Sequence, residues 1–141
     1  MSMDERLQNM IAQLKSMEAY LNDLVTKEAA VVRLIEEGKL AAEALRGLTK
    51  SADVLMPVGM GVYVQSLIKD DAKFLVNVGA GISIEKKRED AIAFIENRLR
   101  ELEAALNNIT SQKQDIQLRM EQMRREANEL VMQMQMQQQK Q

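Results

Sequence analysis

The sequence predicts an α+β fold: a long antiparallel coiled-coil helical hairpin with a small four-stranded β insert, made of two hairpins, at its base. Three observations carry this. Residues 92 to 134 hold an almost unbroken heptad seam, a second seam fills residues 7 to 45, and the segment between them changes period from 3.5 to two. An apolar stripe that repeats every 3.5 residues over this length stays facing a partner only if the helices supercoil.

The first helix should open at Ser2. A serine followed three residues later by Glu5 is a capping-box pattern. Its seam reads Leu7, Met10, Leu14, Met17, Leu21, Leu24, Glu28, Val31, Ile35, Gly38, Ala42, Leu45. Glu28 and Gly38 are its two interruptions. Gly38 and Gly47 weaken the last turns, and Gly47 is placed to act as a C-cap. The helical segment is assigned to residues 1–51 and the insert to 52–87. Pro57, the one proline, should mark the switch into the insert, since proline is costly inside a helix.

Within the insert, four short strands are expected at about 54–57, 60–68, 73–79 and 81–86, with a turn at Lys69-Asp70-Asp71-Ala72. The segment repeats itself. Val58-Gly59-Met60-Gly61-Val62-Tyr63-Val64 returns as Val78-Gly79-Ala80-Gly81-Ile82-Ser83-Ile84. Two-stranded hairpins of this size are marginal alone and expose their edges, so they should pair with other chains. Val62, Val64, Val76, Val78, Ile82 and Ile84 are the expected oligomerisation positions.

The second helix should occupy 88–136, with Glu89 and Asp90 suiting the positive end of its dipole. Its seam reads Ile92, Ile95, Leu99, Leu102, Leu106, Ile109, Lys113, Ile116, Met120, Met123, Ala127, Leu130, Met134. The Met/Gln-rich end, 137–141, should fray into a disordered tail. Glu28 and Lys113 are the only charges on the two seams. In an antiparallel register they fall within about one core layer of each other, so an ion pair that fixes register is expected.

Composition narrows the function. With 141 residues, no cysteine, no histidine and a net charge of −2, the chain lacks thiol chemistry, the commonest general base and any basic footprint for nucleic acid. The carboxylate pairs fall on helix faces, a turn and a helix start, so no catalytic or metal site is expected, and no cofactor. Gly59-Met60-Gly61 and Gly79-Ala80-Gly81 precede strand residues rather than a helix, which fits turns and bulges and not a phosphate loop. The polar N-terminus and the lack of a long apolar run point to a soluble, cytoplasmic protein without membrane contact.

The eleven methionines cluster toward the two chain ends. In the hairpin arrangement these ends meet at the distal tip, where the last turns have no further helix to pack on. Flexible Met-rich surfaces adapt to varied partners. Met3, Leu7, Met10, Ile11, Leu130, Val131, Met132 and Met134 are the residues expected to bind partners at this tip.

The run Leu55-Met56-Pro57-Val58-Gly59-Met60-Gly61-Val62, then Val78-Gly79-Ala80-Gly81, then Glu85-Lys86, then Glu89-Asp90-Ala91-Ile92, resembles the α-type subunit of prefoldin. The helical arms on both sides match in length and heptad character, so the resemblance covers essentially the whole chain. Where that family often has Ser or Thr before the second helix, this chain has Lys87-Arg88. The resemblance implies an ATP-independent chaperone that is not an enzyme. It implies two α-type and four β-type subunits, a β-barrel base, and coiled-coil tips that hold unfolded polypeptide for a group II chaperonin. A filament-forming structural relative is the alternative it leaves open.

Overall fold

A computed structural model describes residues 2–48 and 51–140. The elements follow in the order α1 (Met3–Gly47), β1 (Ala52–Gly59), β2 (Val62–Ile68), β3 (Phe74–Gly79), β4 (Ile82–Lys86) and α2 (Arg88–Gln139). The chain divides into two compact units, residues 1–32 with 104–141 and residues 33–103.

The first unit is the pairing of the N-terminal part of α1 with the C-terminal part of α2. Ser2 caps α1: its Oγ accepts a hydrogen bond from the Glu5 N–H at 3.2 Å, which satisfies one of the free donors of the first turn. Leu24, Met120, Ala127 and Leu130 are buried. The other seam residues of this unit are at least half-shielded, and the positions between them are mostly exposed. Each fully buried Leu or Met contributes about 1.5–3 kcal/mol of transfer free energy. Two cross-helix ion pairs show the direction of pairing. Glu18 meets Arg124 at 3.7 Å and Glu28 meets Lys113 at 3.0 Å, so the helices run antiparallel.

The Glu28–Lys113 pair sits in the seam itself, and Lys113 Nζ donates to both carboxylate oxygens, at 3.0 and 3.2 Å. The side chains are 27% and 22% exposed, so solvent screening is incomplete. Removing either partner leaves a charge against apolar neighbours. Glu28→Leu and Lys113→Leu should each cost roughly 1–3 kcal/mol, while the double substitution should match or exceed the wild type. Denaturant unfolding of the four proteins in a double-mutant cycle checks this, and additive losses would show that the pair is uncoupled.

The second unit holds the remaining helix turns and the insert. Ile35, Ala42 and Ala91 are buried. Gly38 proves to be a packing device. A Cβ there would lie 2.7 Å from Leu99 Cδ2 and 3.3 Å from its Cγ. Leu99 therefore rests on the α1 backbone, which offsets the roughly 1 kcal/mol that a helical glycine costs. Gly38→Leu should destabilise by about 1–3 kcal/mol through overpacking, read as a lowered thermal midpoint.

Several boundaries differ from the sequence expectation. Gly47 lies within α1 and outside the left-handed region, so it is not an αL cap. The helix end is closed instead by a tight Leu48 N–H to Leu45 carbonyl bond and by Arg88, whose Nη1 donates to the Leu48 carbonyl at 2.5 Å. Of the expected helix end at 51, Thr49 and Lys50 lie outside the described residues. Pro57 does not open the insert; it lies well inside β1, opposite Tyr63. A two-stranded hairpin leaves one edge of each strand unpaired, and a residue without an N–H is tolerated there. At the other end, α2 continues to Gln139, past the expected stop at 136. Gln and Met are good helix formers, and neither Gly nor Pro interrupts them. Gln141 lies outside the described residues.

The insert forms two separate antiparallel hairpins, β1–β2 and β3–β4. Met60-Gly61 and Ala80-Gly81 are the turns, with φ of 53° and 78° in the first and 51° and 75° in the second. Two consecutive positive φ values match the right-handed twist of the flanking strands. The strand expected from Met60 therefore begins at Val62. Both hairpins carry a register shift just before the turn, at Gly59 and Gly79. The repeat in sequence is thus a repeat in backbone geometry.

Candidate functional sites: the hairpin faces and the paired helix ends

Strand alternation assigns each insert residue to a face. In the first hairpin, Ala52 faces Ile68, Val54 faces Ser66 and Met56 faces Val64. In the second, Phe74 faces Lys86 and Val76 faces Ile84. These residues, with Val58, Val62, Val78 and Ile82 next to the turns, make one mainly apolar face per hairpin, with Ser66 and Lys86 as its polar members. All six expected oligomerisation residues lie on it. Val76 is half-buried, whereas Val62, Val64, Val78, Ile82 and Ile84 are exposed. Contiguous exposed β-branched side chains beside unpaired strand edges form a surface that association would cover.

The other site lies in the first unit. Met3 with its neighbours Ser2 and Asp4 lines a shallow depression together with Met134, Gln137 and Gln138, so the start of α1 and the end of α2 lie side by side. The expected client residues fall into three groups. Met3, Leu7, Met10, Val131 and Met134 are half-shielded; Ile11 and Met132 are exposed. Leu130 is only 5% exposed. It is a seam residue and offers no surface, because Ala127, Leu130 and Met134 continue the seam to the end of the pairing. Met132 and Met136 are 63% and 60% exposed, and a four-residue spacing puts them on one helix face. Met136, off the seam and four residues after Met132, was not among the residues expected to bind but has comparable exposure. Apolar exposure is not confined to this end: Tyr20, Val25 and Leu118 of the same unit are exposed as well.

A third apolar concavity, about 410 Å³, opens in the second unit beside Gly38, lined by Leu34, Ala41, Phe94, Leu99 and Leu102. Glu37, Arg98 and Glu101 also line it.

Polar chemistry is sparse. Among the described residues no group of three or more acidic, His or Cys side chains could hold a metal ion. The Glu89 carboxyl is held below its ordinary value. The main cause is a hydrogen bond from its own backbone N–H, opposed by desolvation and helped by Arg88 and Lys87. At the first turn of α2, where Lys87 offers no capping oxygen, this carboxylate serves a free donor. Its task is structural. No helix among the described residues is long and apolar enough to cross a membrane.

The profile of the family described as prefoldin subunit matches residues 3–140. A prefoldin subunit alpha of Nitrosopumilus maritimus is 34% identical over 133 residues, covering 93% of this chain and 92% of that one. Its counterpart in Methanoculleus marisnigri is 32% identical over 114 residues, covering 74% and 76%. Among solved structures, the prefoldin beta subunit from Thermococcus strain KS-1 superposes with a TM-score of 0.62 at 18% identity, covering 88% of this chain and 90% of that one. A filamentous PFD from Methanocaldococcus jannaschii gives 0.50 at 24% identity, covering 87% and 98%. At these identities the two structures speak for the fold alone.

Proposed function

The chain belongs to the prefoldin subunit family, and on that premise we propose that it is the α-type subunit of an ATP-independent chaperone, a holdase in the cytoplasm. The observation that carries this reading is the presence of two exposed apolar surfaces, one in each unit. One is on the β hairpins, the other at the paired helix ends around Met132 and Met136. The first suits permanent association with other subunits, and the second suits transient contact with non-native chains.

In this reading the hairpins join those of β-type subunits, two copies of this chain with four of the partner, and close the exposed strand edges. Each pair of helix ends then makes a few weak apolar contacts with one unfolded polypeptide. Several such contacts reinforce one another through effective concentration, so tight holding requires no nucleotide. Release to a group II chaperonin follows when a competing surface displaces the arms one at a time. The side chains support this chemistry: methionine adapts its shape to varied apolar partners without specifying a sequence.

The unpaired outer edges of all four strands favour a second reading, in which head-to-tail pairing propagates into filaments instead of closing. Light scattering coupled to size-exclusion chromatography, with and without a β-type subunit, separates the two. The chaperone reading itself is tested by diluting a denatured client into buffer with the assembled protein and no ATP. Suppressed turbidity supports holding; turbidity equal to the buffer control contradicts it.

A further inference from the structure

Every sulfur in this chain is a thioether, for it has eleven methionines and no cysteine. The fold sorts these sulfurs by access. Met120 is 3% exposed in the helix seam, and Met10, Met17, Met123 and Met134 are half-shielded along it. Met132 and Met136 stand apart: they share one open face near the end of α2. Their neighbours three and four residues away are Asn128, Glu129, Gln133, Gln135, Gln139 and Lys140. All of these are polar, so the two thioethers are the apolar content of that face. On the hairpins, in the other unit, Met56 is half-exposed and Met60, in the turn between β1 and β2, is fully exposed.

Resting on the reading that the paired helix ends hold non-native chains, we infer that Met132 and Met136 form a modification site, oxidised by hydrogen peroxide to sulfoxides that switch capture off. The Sδ lone pair attacks one peroxide oxygen. An S–O bond forms, the O–O bond breaks, and the departing hydroxide takes the proton of the transferred OH. One peroxide thus gives one sulfoxide and one water, with two electrons passing from sulfur to peroxide. The step requires only that peroxide reach the sulfur, which exposure provides. It turns a flexible apolar side chain into a polar, chiral one, and at this face nothing else apolar remains to replace it. The same change at Met120 would place an oxygen inside the seam, but burial keeps peroxide from that sulfur. The difference in burial separates loss of capture from loss of fold. Sulfoxides are also reducible enzymatically, so the change is reversible.

The test treats the complex of this chain with a β-type prefoldin subunit with a low dose of hydrogen peroxide and maps sulfoxides by peptide mass spectrometry. Met132 and Met136 should oxidise well before Met120, with complex size and helical circular dichroism unchanged. Halving the turbidity of a denatured client should then take roughly threefold more protein, and methionine sulfoxide reductases for the two sulfoxide epimers should restore the original value. The variant carrying both Met132→Leu and Met136→Leu keeps the apolar face without its sulfur. It should hold client as the wild type does and keep that capacity after peroxide, although its β-type partner meets the same oxidant. Four outcomes overturn the inference: Met132 and Met136 resist a dose that oxidises Met60, both sulfoxides form and capture is unchanged, the leucine variant loses capture as the wild type does, or the loss comes with a fall in helix content. An untreated complex that holds no client would instead remove the holdase reading, and this inference with it.

Discussion

Val64→Asp combined with Val78→Asp should abolish assembly while leaving helix content nearly unchanged. Val64 lies opposite Met56 on the apolar face of the first hairpin, and Val78 adjoins the bulge on the matching face of the second. A carboxylate buried without a partner in an apolar layer costs several kcal/mol, and the substitution places one on each hairpin. That exceeds what a small hairpin interface can absorb. The helices are insulated from the change, because their seam residues lie elsewhere and the Glu28–Lys113 and Glu18–Arg124 ion pairs are untouched. Size-exclusion chromatography with light scattering should report a single chain where the wild type reports an assembly, with superimposable helical circular dichroism. A double variant that elutes as the full-size complex would refute the insert as the assembly base.

Deleting residues 1–10 together with 130–141 should have the opposite profile. The insert is intact, so the assembly should form. The deletion removes Met132 and Met136, the most exposed methionines of the helices, along with Met3 and Met10. It also removes Leu130, so the shortened pairing loses some seam burial at its new end. Most aggregation-suppressing activity should disappear. Single substitutions such as Met132→Gln should change little, since the remaining arms compensate for one weakened contact. Turbidity of a denatured client in the presence of assembled truncated protein checks this.

The helical part of the fold was legible because a 3.5-residue repeat is a long-range signal. Every seam position from Leu7 to Leu45 and from Ile92 to Met134 is at least half-shielded, and Glu28 and Lys113 pair as their seam positions required. The strands were legible through alternation and the repeated Val-Gly-x-Gly. What sequence reading missed depends on contacts across the chain. Gly38 reads as a flaw in the seam until Leu99 is seen resting on it. Gly47 reads as a cap, but Arg88 from the other helix takes the terminal carbonyl. Pro57 reads as a breaker because the unpaired edge that tolerates it is not visible in one strand. At the chain ends, composition drew attention to the apolar residues but not to the helix faces they occupy: Leu130 turns inward, and Met136 turns outward.

The central claim is that non-native polypeptide is held at the paired helix ends. The absence of native cysteine allows an environment-sensitive fluorophore to be placed at one position at a time. Met132 reports on the helix ends, Leu118 on an exposed position farther from them, and Leu40 on an exposed position in the unit that carries the hairpins. Each labelled assembly is titrated with a denatured client in the absence of nucleotide. The account predicts a saturable blue shift from position 132, with little response at 118 and none at 40. A client that shifts the reporter at 40 and leaves the one at 132 unchanged would contradict it.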